Sequence, residues 1–584
     1  MQHSIRVMAL AAALAASPLW AQVPSAAVQE ARAQRGADTA ANARLMYQLL
    51  LAEFNYQAGD PQTGYRFMLD AAHRTGDEAL YRRATEMAIH ARSGPDALEM
   101  ARAWRAAHPE SADAGRYELQ LLLALNRAAE TEAPLRAILA ALPAADREEF
   151  LAALPTLYAR VADRAEAARI TEHALQDILQ DPKNLPLAAA AWTAVGRMRL
   201  HAGDKAGALA AATLGQSADA ASRWPPLLAL QLAGEGEPSA QALIERHLQT
   251  PKPHPQVQLA WARWLATQDR LADAHAQLDA ATARDPEFAE AWLLQGALYA
   301  QQRQDAQAAQ ALESYIAVLK LEDKNDSEGM DNARLMLARI ATRGGDAARA
   351  QALLDQIHDP AQAFAVASER AALLVKQGRL DDALAAIDTV PENDPRDAHL
   401  KLLAQAQLLR DNGRPAQAYQ MLAAPLQDDP DDEDLLYDSA LSAERMGDPE
   451  KMETLLRRLL ALRPDSYSAL NALGYSLADR GVRLQEARTM IEKAVQLAPD
   501  DPFIQDSLGW VHFRLGHLDE AARILTQAYA RQPDPEIAAH LGEVLWMQGQ
   551  RERALTIWSE GLRAGPGNDT LKQTLKRLQV KLAP

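Results

Sequence analysis

Seven glycines set the ground plan of this chain. Gly345, Gly378, Gly413, Gly447, Gly481, Gly516 and Gly549 follow one another at intervals of 33, 35, 34, 34, 35 and 33 residues. Other small residues and prolines keep step with them. From Gly509, Gly516 lies seven residues on, Ala521 twelve, Ala528 nineteen and Pro533 twenty-four. Gly542 repeats the offsets as Gly549, Ala554, Gly561 and Pro566, and Gly474 repeats them as Gly481, Ala487, Ala494 and Pro499 after a one-residue slip. Upstream, Ala371, Ala406 and Ala440 open the same series. A fixed period of this length means one helical hairpin used many times, since a single hairpin cannot bury its own apolar face.

Each residue type in the period has a physical reason. Leu470, Leu473, Gly474 and Leu477 stand at i, i+3, i+4 and i+7, the apolar stripe of one helix. The small member of the stripe lets a second helix approach closely, and that helix presents Ala487, Ile491 and Ala494. The glycine between the two ends the first helix, where a left-handed residue is needed. The proline ends the second and sets the turn into the next unit.

The period divides the chain. Residues 332–567 read as a regular array and 251–321 as a shorter run, with Trp292, Gly296, Tyr299 and Ala308 as landmarks. Residues 322–331 are polar, break the register and read as an irregular insertion. Over 42–250 the repeats are degenerate; Trp192, Gly196, Gly203 and Ala208 keep the pattern, but Met46 to Gln180 shows helical periodicity without landmarks. Residues 568–584 read as a capping helix and tail. The first 21 residues read as a signal peptide: Arg6, then the apolar stretch Val7–Ala16, then Pro18 and a cleavage site near Ala21. Residues 22–41 read as a polar linker. The expected location is the periplasm, and no later stretch is apolar enough to span a bilayer.

Composition excludes several functions. The net charge of −17 and the lack of a Lys/Arg run argue against nucleic acid. The chain has no cysteine, which removes disulfides, thiol catalysis, thiolate metal sites and a lipid anchor through cysteine. No catalytic motif is present, so no catalytic residue, cofactor or metal is assigned and the chain is read as a non-enzyme. The acidic run from Asp428 to Asp434 lacks the glycine of a calcium loop and brackets Pro430, where a new helix should begin. His512 and His517, five residues apart, are not read as a metal pair.

The landmarks match the tetratricopeptide repeat (TPR) pattern, which implies an all-α fold, a superhelical solenoid of antiparallel helix pairs. In such a superhelix the first helix of each pair lines the concave groove. The groove positions of the last units hold Tyr437, Tyr475, Trp510, Phe513 and Trp546, a concentration of aromatic anchors suited to protein partners. The wording goes further. Asn471–Gly481 (NALGYSLADRG), Asp506–Ala521 (DSLGWVHFRLGHLDEA), Asp534–Gln550, Tyr47–Asp60 and Arg82–Arg92 resemble a family of proteobacterial periplasmic TPR adaptors. Those adaptors bind a carboxyl-terminal processing protease and present cell-wall (peptidoglycan) hydrolases for degradation, so the resemblance implies these partners. The adaptors of that family are lipid-anchored through a cysteine that this chain lacks. The alternative readings are a TPR scaffold of another envelope machine, for polysaccharide export or outer-membrane assembly, and an enzyme with an unrecognised site in the N-terminal half.

Overall fold

A computed structural model describes residues 26–321 and 328–582. The described residues are helices joined by turns, with no strand among them, and the all-α expectation holds. They fall into two compact units, one ending at Gln295 and one beginning at Gly296.

In the second unit, antiparallel pairs follow each other as the period requires. The helices Glu433–Arg445 and Pro449–Leu462 form one pair, Tyr467–Asp479 and Leu484–Leu497 the next. Pro502–Arg514 pairs with Leu518–Arg531, and Pro535–Met547 with Arg551–Ala564. The seven glycines all lie outside the helices with positive φ, from 70° at Gly481 to 85° at Gly516. The closure is the same from unit to unit. At Gly516 the amide donates to the Phe513 carbonyl at 2.9 Å, and the His517 amide donates to that of His512 at 2.9 Å. Two orphan carbonyls of the helix end are thereby satisfied.

The small landmark of each first helix marks its contact with the second. A Cβ added at Gly509 would lie 2.5 Å from Leu525 Cγ, and at Gly474 it would lie 2.7 Å from Ile491 Cγ1. Ala521, Leu525 and Ala528 are buried there, as are Ala487, Ile491 and Ala494. The one-residue slip after Gly474 also has its cause: Arg483 adopts φ 47°, a second left-handed residue in the same turn.

The first unit keeps this turn with different residues. Arg92 and Asn126 stand in the left-handed region at φ 56°. Ser93 N donates to Ala88 O at 3.0 Å and Arg127 N to Leu122 O at 2.8 Å, the closure that follows Gly516 in the second unit. The landmarks thin out over Met46–Gln180 because some of these reversals use a residue other than glycine, although Gly59 and Gly76 keep positive φ. Short 3-10 segments at Ala128–Glu130 and Ala144–Asp146, with Pro155 inside the helix Arg147–Leu157, further disturb the spacing. The landmarks at Gly196 and Gly203 behave as read: Gly203 has φ 85°, and a Cβ on Gly196 would meet Leu228 Cδ2 at 2.3 Å. Apolar cores in this unit include one around Trp104 and one around Leu151 and Tyr158.

Two boundaries are corrected. The stretch read as a polar linker over 22–41 is helical from its fifth residue, inside the helix Ala26–Gln57. Its polarity misled, because Ala, Gln, Glu and Arg are all good helix formers. The insertion read at 322–331 ends sooner: the helix Glu328–Gly344 begins within it, with Glu328 and Asp331 in its first turn, where the helix dipole favours carboxylates. Residues 322–327 and the signal peptide read at 1–21 lie outside the described residues. The capping helix is Asp569–Arg577, started by Asn568 accepting from Leu571 N at 2.8 Å. No described helix is long and apolar enough to cross a membrane.

Three alanine substitutions separate these roles. Gly509→Ala should cost about 1–3 kcal/mol through overpacking against Leu525. Gly516→Ala should cost about 1 kcal/mol through its left-handed backbone. Gly344, at a helix end with nothing within 4 Å of an added Cβ, should gain about 0.4–1 kcal/mol as alanine. Urea unfolding followed by circular dichroism reads all three, and equal effects at Gly509 and Gly344 would refute the close-approach account.

Candidate functional site

The first helices of the last three pairs pack in sequence, Tyr467–Asp479 against Pro502–Arg514 and that against Pro535–Met547. The capping helix Asp569–Arg577 closes the row against Pro535–Met547. Between them lies a pocket of about 690 Å³. Tyr475, Trp510 and Phe513 line it together with His540, Glu543, Met547 and Arg577. Three of the five aromatic residues picked from the sequence therefore meet at one site.

The other two do not line this pocket. Trp546 packs on Trp558 at 5.6 Å between ring centroids, and Arg551 sits 4.9 Å over its ring. Its position on the groove-forming helix was legible, but not that its ring turns to the second helix of its own pair. Tyr437 lies on the neighbouring first helix Glu433–Arg445, half-buried against the core that its own pair shares with the following helices. Burial pushes its phenol up from the ordinary value. Trp510 is itself only 4% exposed, so it serves as a wall of the pocket and as a core residue at once.

Landmark spacing did not single out the polar floor. His540 is buried, and its Nδ1 lies 2.8 Å from Asp506 Oδ2. Its ring stacks on Trp510 with centroids 4.2 Å apart, and its Nε2 lies 3.4 Å from the Tyr475 hydroxyl. Burial works against the imidazolium, but the charge and hydrogen bond of Asp506 outweigh it and raise the His540 pKa. Glu543, also buried, accepts from Arg577 through both oxygens at 2.7 and 2.5 Å. Asp506 precedes Trp510 by four residues and Glu543 precedes Trp546 by three, so i, i+3 or i+4 spacing beside the aromatic positions was the available signal.

Carboxylates dominate the surroundings of Tyr475. Its phenol is raised well above the ordinary value, first by burial and then by Glu536, Asp506, Asp479 and Glu444. Glu444 and Glu536 are half-buried, and burial holds both carboxyls above the ordinary glutamate value. Their mutual repulsion raises Glu444 further, whereas Arg445 pulls both down.

Elsewhere in this unit, His399, Asp432 and Asp434 place ligand-type atoms within 4.8 Å of one another. Asp432 is also the N-cap of Glu433–Arg445, accepting from Leu435 N at 2.9 Å, the helix start anticipated for the acidic run. His512 and His517 approach to 3.3 Å between their Nδ1 atoms.

Comparison with known proteins bears on the repeats. The tetratricopeptide repeat family model matches residues 259–326, 437–502 and 507–569, which supports the TPR reading of the period. The TPR repeat-containing protein PA4667 of Pseudomonas aeruginosa is 39% identical over 250 residues, 43% of this chain and 42% of that protein. Human tetratricopeptide repeat protein 7A is 38% identical over 108 residues, 18% of this chain and 12% of that protein. The chain thus spans less than half the length of these curated relatives. Among solved structures, TTC0263, a thermophilic TPR protein of Thermus thermophilus, aligns with 31% of this chain and 99% of its own at 23% identity and a TM-score of 0.29. TPR repeats of this kind fit a scaffold for protein–protein interaction.

The buried glutamates predict a pH dependence. The folded state holds their protons more tightly than the unfolded chain, so their contribution is fully present below the ordinary value of 4.5 and is lost as pH rises through the folded values. Glu444→Gln and Glu536→Gln should therefore raise the urea midpoint at pH 7 and leave it nearly unchanged at pH 4. A lower midpoint at pH 7 would show that these carboxylates stabilise the fold instead.

Proposed function

We propose that this chain is a periplasmic scaffold that brings a carboxyl-terminal processing protease together with its substrates, the peptidoglycan hydrolases of the envelope. The carrying observation is the pocket of the second unit, where aromatic walls and charged groups line an open surface built from successive first helices. Such a surface offers rigid aromatic contact area beside polar and charged groups that can set register, as protein interfaces do. The sequence segments that resemble the periplasmic adaptors overlap three of the helices that build this pocket, Tyr467–Asp479, Pro502–Arg514 and Pro535–Met547.

Affinity capture from a proteobacterial envelope extract tests the proposal. Recovery of a serine protease of the carboxyl-terminal processing class, with its hydrolase substrates, is the expected result. Recovery of export or outer-membrane assembly components alone would replace it with the scaffold of another machine. Phe513→Ala, at a half-buried wall position, should weaken protease recovery without unfolding the chain; Trp510→Ala is a poor test, because Trp510 is also core.

A further inference from the structure

Beside the pocket the first helices hold several acceptor atoms that the fold leaves unused. Asp506 is 5% exposed, and its Oδ1 has no hydrogen-bond partner while Oδ2 is spent on His540. Asn471 Oδ1, one helical turn before Tyr475, is likewise buried without a partner. Glu444 and Glu536, half-buried, make no side-chain hydrogen bond or ion pair with any described residue. These four residues come from four successive first helices: Glu433–Arg445, Tyr467–Asp479, Pro502–Arg514 and Pro535–Met547. Glu536 stands one helical turn before His540, whose ring joins Asp506 to Tyr475, and Glu536, Asp506 and Glu444 all act electrostatically on Tyr475.

A buried acceptor without a donor is costly, and a fold that keeps several in one place is arranged for a donor that comes from outside. The nearby cations of the chain do not fill the need. Arg577 is committed to Glu543, and Arg514 donates to the Asp479 carbonyl at 2.5 Å. Arg480 donates to the Ser476 carbonyl at 3.1 Å, and Arg445 is exposed. The aromatic wall has the matching property, since a guanidinium is attracted to an indole or phenol face. The wall already shows it: Arg514 lies 5.9 Å over the Trp510 ring.

We propose that this groove binds an arginine side chain of an extended partner segment, with the half-buried Tyr475 as its flat wall and Glu444, Asp506 and Glu536 as its acceptors. A guanidinium carries five N–H donors and no acceptor, and its plane stacks on aromatic rings, so it meets both demands of the site. The inference deepens the scaffold reading and rests on it: it states what chemistry the partner presents.

The test uses the full chain and a mixed library of acetylated, amidated hexapeptides, without reference to any candidate partner. Immobilised protein is loaded with the library, washed, and the retained peptides are read by mass spectrometry. Arginine should be enriched several-fold over its abundance in the input, and aspartate and glutamate depleted. The double variant Glu444→Gln, Glu536→Gln keeps the shape of both side chains and removes only their charge; it should lose the enrichment while its circular dichroism spectrum stays that of the parent. Retention without arginine preference, enrichment of acidic peptides, or an arginine preference that survives in the folded double variant would each overturn the assignment. Because the library contains no envelope protein, failure here leaves the protease-capture experiment as the separate judge of the scaffold function.

Discussion

The close approach of two helices at a small residue, followed seven residues later by a left-handed reversal, governs the rest of the second unit. Gly509 brings its helix against Leu525, and Gly516 turns the chain so that the second helix can return along the first. With both in place, each hairpin buries one seam and leaves another face open, which the next hairpin covers. First helices then fall beside first helices, and residues about one repeat apart in sequence become neighbours. That is how Asp506 comes to hold His540 of the next repeat, and Tyr475 His540 of the repeat after its own neighbour.

This constraint also explains what the sequence shows and hides. The seven glycines are legible because positive φ is open to glycine at little cost, and every one of them carries it. Arg92 and Asn126 perform the same reversal with a side chain present, so at those turns the architecture stays and the signature is lost. The polar stretch before Asn42 misleads for the opposite reason: its composition suggests a linker where helix propensity decides. Helices built of alanine, glutamine and arginine have little apolar patterning to announce them.

At the candidate site the aromatic positions were legible from the landmarks, since position after a small residue fixes the face of a helix. Ring orientation was not. Trp546 stands at a groove position and turns into the hairpin against Trp558, while Phe513 lines the pocket as expected. The buried acceptors escaped notice because polarity by itself does not tell a solvated face from a desolvated one. Only packing shows that Asp506 is buried while Asp479, on the same wall, is exposed. The site thus combines residues recognisable by spacing with residues made unusual only by their surroundings.

A partner segment is expected to lie along the first helices of the last repeats. Amide hydrogen exchange of the chain, alone and with its captured partner, measures this most directly. Added protection should concentrate in Tyr467–Asp479, Pro502–Arg514 and Pro535–Met547, with their second helices little changed. A stable complex that leaves these three helices exchanging as in the free chain would contradict the claim.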